Sequence, residues 1–231
     1  MFEYNNPEPA PTSTQLSVMP FLAAAQGFLE SDGPVKDLRL TMHRAMNRDG
    51  AGYLQQISGY FPFAQPSEWS NGRGRLFKVT DGIIGKSYET GAIYRTQKFD
   101  DEGALTKALV EARKDVAEEV QSGEVASSFL SIPFLGNKSE TVLVFYADCK
   151  QLNFFADDER IEKLIAMGQG LCNLIDALEE TPFPNLRNFG MEPGKPVTGA
   201  PTVYEIQEPF TKTAPPQFKN LNSYNFESVT V

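Results

Sequence analysis

The distribution of proline constrains the fold of this chain more than any other feature of its sequence. Four of the 16 prolines lie within residues 1–20 and eight within 182–216, so the long middle stretch holds only four. Proline lacks a backbone N–H and disrupts regular structure, so regular elements are expected mainly in the middle stretch. The sequence therefore predicts a flexible N-terminal arm at 1–14, a folded domain at 15–181 and an extended tail at 182–231.

The charge of the chain argues against some classes of partner. The formal charge of −9 belongs mostly to the predicted domain, since the tail carries four basic and four acidic residues. An acidic chain is poorly suited to binding nucleic acid or anionic membranes. No apolar run has the roughly 20 residues that a membrane-spanning helix needs, and the first residues lack the pattern of an export signal. We therefore expect a cytoplasmic protein that contacts neither nucleic acid nor membrane.

Hydrophobic spacing predicts the elements of the domain. Apolar residues at helical spacing predict helices at 15–30, 34–47, 101–121 and 157–180. Runs of β-forming residues predict strands at 53–61 and 75–79, and a hairpin of 127–135 with 140–147. The second hairpin strand is almost continuously apolar, which is typical of a central strand buried on both faces. Residues 78–96 contain three glycines and are expected to form a structured loop with short extended pieces. This order predicts an α+β fold.

The predicted tail is rich in aromatic residues, unlike most solvated linkers. They are Phe183, Phe189, Tyr204, Phe210, Phe218, Tyr224 and Phe226. Aromatic residues spaced among prolines are typical of an extended segment that docks single side chains into pockets. The sequence leaves two interpretations open: the tail wraps its own domain, or it docks on a partner protein.

The end of the domain, SIPFLGNKSETVLVFYADCKQLNFFADDERIEKLIAMGQGLCNLI, resembles the C-terminal half of a GAF domain. The resemblance rests on the order of Ile132-Pro133, a central strand at 142–147, Phe154, and Asp158-Glu159 before a closing helix. The stretch LFKVTDGIIGKSYETGAIYRT is also similar to the glycine-containing loop of that family. Over about residues 30–180 the resemblance implies a GAF-like central antiparallel sheet with helices packed on its faces.

One motif of the family is kept only in part. Phosphodiesterase-type GAF domains carry Asn-Lys and then Phe-x3-Asp-Glu, and this chain matches with Lys150, Phe154, Asp158 and Glu159. Asp148 or Cys149 stands where the family has Asn. The resemblance implies a structural role, in which an ion pair between Lys150 and Asp158 braces the turn.

The resemblance also implies where a ligand would bind. The pocket would lie between the sheet, the glycine-containing loop and the helix predicted at 101–121. The residues expected to line it are Phe77, Tyr88, Thr90, Tyr94, Arg95, Phe129, Ser131 and Phe145. Asp100, Asp101 and Glu102 begin that helix, and carboxylates at a helix N-terminus repel a phosphate. A neutral ligand is therefore expected in preference to a phosphorylated one.

Catalysis is not expected from these residues. His43 is the only histidine, which excludes a His-rich metal site and argues against a Ser-His-Asp triad. Cys149 and Cys172 are too few for a disulfide framework and too isolated for a structural zinc site. Neither lies where the GAF-like methionine sulfoxide reductases need cysteines. We expect no enzyme activity, no metal and no cofactor.

The GAF resemblance thus implies a non-catalytic sensory or adaptor protein in signalling. It would bind an unidentified small molecule and act through a partner protein, contacted by the tail and the terminal helices. The alternative is a pure protein-interaction or assembly subunit whose pocket is filled by its own side chains. Because GAF domains commonly dimerise through their first and last helices, a homodimer is also implied. In it, Phe21, Leu22 and Phe28 would pack on Leu171, Leu174 and Leu178, unless the two helices pack on each other within one chain.

Overall fold

The computed structural model describes residues 12–48, 51–63, 72–112, 126–177 and 206–220, and the structural statements below concern these residues. The helices are α1 (Thr12–Leu29), α2 (Gly82–Thr90), α3 (Glu102–Ala112) and α4 (Asp158–Ala177). The strands are β1 (Arg39–Arg48), β2 (Ala51–Gln56), β3 (Leu76–Lys78), β4 (Ile93–Thr96), β5 (Ser128–Leu135), β6 (Thr141–Cys149) and β7 (Gln207–Phe210). A 3-10 turn, Phe154–Ala156, precedes α4.

The strands form one antiparallel sheet in the order β3-β2-β1-β6-β5-β4-β7. The α+β class is therefore confirmed. The predicted hairpin is also confirmed, with Leu135 paired to Thr141 next to the turn. β6 lies between β1 and β5, and Leu143, Val144 and Phe145 along it are fully buried. Its apolar run correctly predicted a strand covered on both faces.

The helix predicted at 34–47 is wrong, because this stretch contains β1. Its apolar residues fit helical spacing, but LRLTMH at 38–43 also alternates between apolar and polar residues, as a strand does. β1 pairs with both β2 and β6, so neither of its edges is free. Side chains from Leu40 to Met46 are all buried. Because apolar residues therefore occur on both faces of β1, they do not follow the period of two that marks a strand with one exposed face.

The loop predicted at 78–96 also differs, because α2 occupies its centre. Two glycines explain how a short helix fits there. A Cβ at Gly85 would lie 2.7 Å from the carbonyl oxygen of Val79, so only glycine allows this approach to the end of β3. Gly91 ends the helix with φ +62°, and its N–H bonds the carbonyl of Ser87. The two glycines therefore support a helix and its termination.

α1 and α4 pack side by side on one face of the sheet, here called the α1/α4 face. The ring of Phe21 on α1 meets the rings of Phe134 and Phe145 edge-on, at centroid distances of 5.6 and 5.2 Å. Phe21 and Leu22 are buried within the chain, as is Leu171 on α4. These residues of the expected dimer interface therefore serve the core of one chain. Leu178 lies outside the described residues.

Predicted boundaries hold for α1 and α4 to within a few residues, although α1 begins at Thr12, inside the predicted arm. The helix predicted at 101–121 is described as far as Ala112. Of the tail, residues 206–220 are described, and they pack on the chain's own domain. Phe210 and Phe218 are 5% and 0% exposed. For this segment the first of the two interpretations of the tail is confirmed.

Candidate functional site

The other face of the sheet is contacted by α2 and is here called the α2 face. Because side chains alternate along a strand, odd-numbered residues of β1 and β5 and even-numbered residues of β2, β4 and β6 point to it. One end of this face is apolar. Its buried cluster consists of Ala45, Leu54, Phe77, Val79, Ile83, Ile84 and Val144, with Tyr88, Tyr94, Phe129 and Tyr146 packed against it.

The middle of the α2 face is polar. His43 on β1 lies opposite Gln56 on β2, and Thr41 lies opposite Tyr146 on β6. Tyr146 in turn lies opposite Ser131 on β5. The sheet thus brings polar side chains from four strands into two adjacent rows next to the aromatic cluster. These polar rows are His43 with Gln56, and Thr41 with Tyr146 and Ser131.

Several of these polar groups are buried without a partner. In the part of the chain that the structure describes, His43 Nδ1, Gln56 Oε1, Ser58 Oγ and Ser131 Oγ make no hydrogen bond. All four side chains are at most 2% exposed. Neighbouring groups are satisfied, since Gln56 Nε2 and Thr41 Oγ1 donate to the Ser58 carbonyl at 2.8 and 3.2 Å. A buried polar group without a partner costs about 1–3 kcal/mol, so four near one cluster call for an explanation.

A buried carboxylate that is paired with an arginine borders these rows. Asp148 is 1% exposed and accepts hydrogen bonds from Arg39 Nε at 2.8 Å and Nη2 at 2.6 Å. The hydroxyl of Tyr146 donates to the same carboxylate at 2.7 Å. Burial and the charge of Asp148 hold the pKa of Tyr146 well above its usual value, so it remains a neutral donor. The charge of Asp148 is therefore fully engaged by its neighbours.

His43 is uncharged at neutral pH. Burial lowers its pKa to about 4, because an imidazolium ion loses its hydration in the interior. The imidazole ring lies edge-on to Phe77 at 5.3 Å and to Tyr146 at 6.4 Å. The polar rows therefore present neutral donors and acceptors beside aromatic rings.

The structure brings together most of the residues expected to line a pocket. Phe77, Tyr88, Tyr94 and Phe129 belong to the aromatic cluster of the α2 face, and Ser131 lies on the same face.

Three expected lining residues lie elsewhere. Phe145 packs under α1 on the α1/α4 face. Thr90 is exposed at the end of α2 and bonds the carbonyl of Lys86 at 2.8 Å. Arg95 lies on the α1/α4 side, where it bonds Asp158 at 2.5 Å and Glu208 at 2.7 Å.

The ion pair expected between Lys150 and Asp158 is wrong. Lys150 Nζ lies 3.2 Å from Asp37, whereas Asp158 pairs with Lys212 and Arg95. These two cations, Lys212 first, lower the pKa of Asp158. The sequence could not indicate this arrangement, because Lys212 comes from the distant tail.

The other residues of the half-motif have structural contacts. Phe154 is buried, and the guanidinium of Arg160 lies 4.2 Å from its ring centroid. Glu159 forms an exposed pair with Lys163 at 2.7 Å, one turn along α4.

The two cysteines are buried free thiols. Burial raises the pKa of Cys149 to about 12 and raises that of Cys172 as well, so both thiols stay protonated. Within the described ranges, no three His, Cys, Asp or Glu side chains are grouped so that they could hold a metal ion. None of the described helices is long and apolar enough to cross a membrane.

Comparison with known proteins finds no family model and no curated protein that matches this chain. The likeness to the GAF family therefore rests on the motifs quoted above and remains a proposal.

Sequence reasoning missed the polar rows on β1 and β2. His43 was considered only as a helix residue, because 34–47 is predicted to be a helix, and this prediction separates His43 from the sheet. Gln56 and Ser58 lie in or beside a correctly predicted strand, but without β1 next to it they have no polar neighbour that would single them out. The alternation Arg39, Thr41, His43 was the available signal, since it marks one polar side of a strand.

Proposed function

We propose that the chain is a non-catalytic GAF-like sensory or adaptor protein that binds a neutral small molecule on the α2 face. In this proposal it signals through a partner protein. The observation that carries it is the set of four buried, unpartnered polar atoms beside an aromatic cluster. A ligand that supplies the missing hydrogen bonds would remove a cost of about 1–3 kcal/mol for each atom. Pockets that combine apolar walls with a few polar groups are typical of small-molecule sites.

The location supports the GAF interpretation. The family resemblance implies a pocket between the sheet, the glycine-containing segment and the helix at 101–121. α2 is that glycine-containing segment and packs on this face, and Leu105 and Leu109 of α3 pack with Phe129 at its border.

The charges of the site favour an uncharged ligand. Arg39 is engaged by Asp148, and His43 is neutral at pH 7. The N-terminus of α3 is not free for an anion, since Asp101 Oδ1 accepts the N–H of Ala104 at 2.8 Å. A neutral molecule with hydrogen-bonding groups at its edge and an apolar or planar body fits this chemistry.

The test is native mass spectrometry of the full chain purified from cells, followed by solvent extraction of any bound compound. We expect a bound neutral molecule whose retention falls when Ser131→Ala removes one hydroxyl from the site. The matched control is Ser31→Ala, which removes an exposed hydroxyl in the turn after α1. If the two variants retained the compound equally, or if the chain were unliganded in every preparation, ligand binding would be contradicted. Ordered water would then be the partner of the four buried atoms.

A second candidate, an interaction or assembly subunit, is favoured by two exposed leucines. Leu16 and Leu174 are 56% and 54% exposed. The two helices meet where the ammonium of Lys163 on α4 lies 5.7 Å from the ring of Phe28 on α1. Leu16 precedes Phe28 by about three turns of α1, and Leu174 follows Lys163 by about three turns of α4. Farther along the pair, the ring of Phe134 meets Phe21 on α1 and lies next to Gly168 on α4. Moving back from Phe28 to Phe21 therefore moves forward along α4, so the helices are antiparallel and both leucines lie at the same end of the pair. A homodimer through this end should be lost in Leu174→Ser and kept in Asn173→Ser, as measured by light scattering.

A further inference from the structure

Residues 206–220, here called the strap, follow an extended course over the domain. The first part adds β7 to the edge of the sheet, with Ile93 paired to Phe210 and Thr96 to Gln207. The N–H of Gln97 donates to the carbonyl of Ile206 at 2.9 Å and prolongs the pairing. Main-chain pairing with a sheet edge is a common way in which proteins bind extended peptides.

The second part of the strap runs along α4, from its beginning to its end. Lys212 pairs with Asp158 in the first turn of α4. Gln169, in the middle, exchanges two hydrogen bonds of 3.0 Å with the backbone of Gln217. Asp176, near the end, accepts the N–H of Lys219 at 2.7 Å. Contacts at the beginning, the middle and the end of α4 fix the direction and register of the strap.

The end of β5 holds the same part of the strap from the other side. The N–H of Leu135 donates to the carbonyl of Pro216 at 2.9 Å, and the N–H of Phe218 donates back to Leu135 at 2.8 Å. A Cβ at Gly168 would lie 2.8 Å from Cγ of Pro216, so the glycine makes room for the proline. The strap is thus bound between β5 and α4 by backbone and shape.

Side chains of the strap fill specific positions in the domain. Phe210 and Phe218 enter the buried hydrophobic cluster of the α1/α4 face, which also contains Phe21, Phe134 and Phe145. Glu208 is paired with Arg95 at 2.7 Å, and Arg95 also holds Asp158, the partner of Lys212. The anchors therefore follow the pattern E-x-F-x-K, and then a second Phe at 218.

We propose that β4, the end of β5 and α4 form a peptide-recognition groove, and that the strap is its resident ligand. The kind of partner that fits is a protein segment with the same extended anchor pattern, which would displace the strap. Main-chain bonds give such a site affinity, and the pockets for Phe210 and Phe218 give it selectivity.

The chain connectivity supports a ligand tethered to its own groove. Ala177 ends α4 next to Asp176, which contacts the end of the strap, and the strap begins at the opposite end of the helix. The described residues on either side of this connection therefore contact opposite ends of α4, about 30 Å apart for a helix of this length. Residues 178–205 can span up to roughly 95 Å when extended. A tether of this kind gives an effective concentration on the order of millimolar, so a competitor meets strong resistance until the tether is cut.

The experiment cuts the tether in the full-length protein after it has folded. A site-specific protease sequence is placed between residues 190 and 200, and a labelled peptide of residues 206–220 is added after cleavage. We expect the cut fragment to stay bound, and the labelled peptide to replace it on dilution while circular dichroism of the domain is unchanged. A peptide with Phe218→Ala should compete about 100-fold or more weakly, because a fully buried Phe is lost. The control peptide carries Thr211→Ala at an exposed position and should compete within about threefold.

The uncut protein should bind the labelled peptide at least tenfold more weakly than the cut protein, because the tethered strap competes. Equal competition by the two variant peptides would overturn the proposal. So would a fragment that never exchanges, or a domain that unfolds when the fragment leaves, since the strap would then be an inseparable strand. Ligand binding on the α2 face plays no part in these readouts.

Discussion

The buried histidine provides a direct test of the polar rows on the α2 face. His43 is 2% exposed and its pKa is lowered to about 4 by burial. In the unfolded chain its pKa is near the ordinary value of about 6.5. Between these two pH values the unfolded state binds one more proton than the folded state, so the free energy of unfolding falls as the pH is lowered.

The expected loss follows from the two pKa values. At 1.36 kcal/mol per pH unit, the interval from about 6.5 to about 4 removes about 3 kcal/mol of stability. Above pH 6.5 the uncharged His43 makes its full contribution to the free energy of unfolding. That contribution is lost between pH 6.5 and about 4, and it does not change further at lower pH. A loss of this size is a large fraction of the stability of an ordinary domain, which is about 5–15 kcal/mol.

The assay compares urea unfolding of the wild type and of His43→Gln between pH 7.5 and 4.5. The carboxylates titrate in both proteins, so the difference between their free energies of unfolding isolates the histidine. As the pH is lowered over this range, the free energy of unfolding of the wild type should fall by about 2–3 kcal/mol more than that of His43→Gln. Because the chain has one histidine, its ring signal in NMR spectra is assigned without ambiguity. A native pKa near 6.5, or parallel pH profiles of the two proteins, would refute the reasoning.

Two further predictions concern glycines and the ion pair between the half-exposed Arg39 and the buried Asp148. Gly85→Ala should destabilise the protein by about 1–3 kcal/mol, because its Cβ would meet the backbone of Val79. Gly170→Ala in α4 meets nothing within 4 Å and should stabilise by up to about 1 kcal/mol, so equal effects in thermal unfolding would contradict the close approach at Gly85. Arg39→Met should cost about 2–3 kcal/mol in urea unfolding, since Asp148 stays buried without its cation. Adding Asp148→Asn should recover part of this loss, and a purely additive double variant would argue against the pair.

Elements with one dominant periodicity were predictable from the sequence. α4 repeats apolar residues at helical spacing from Ile161 to Ile175, and these side chains are buried in the structure. The hairpin of β5 and β6 was predictable from two apolar runs around a polar turn. In both cases local sequence and tertiary packing favour the same structure.

β1 could not be assigned with the same rule, because both of its faces are covered. Met42 and Ala45 fit a helix as well as a strand, and the pairing partners that decide between them lie far away in sequence. The aromatic part of the α2 face was partly predictable, since Phe77, Tyr94 and Phe129 lie on predicted strands or beside glycines. Its polar part depended on β1 and was therefore missed.

The contacts of the tail were beyond prediction for a related reason. Asp158 pairs with Lys212, and the strand register that places them together is set by backbone pairing between β4 and β7. Nothing in the local sequence around either residue specifies that register.

The two ends of the sheet differ in a way that bears on solubility. At one end, β3 is three residues long and carries the exposed Lys78, a combination that discourages further pairing. At the other end, the N–H and C=O groups of β4 are covered by β7. A chain that stopped before residue 206 would present that bare edge, together with the apolar surface left by Phe210 and Phe218. Truncated products are therefore expected to aggregate, which makes the integrity of the C-terminal region a condition for keeping this protein in solution.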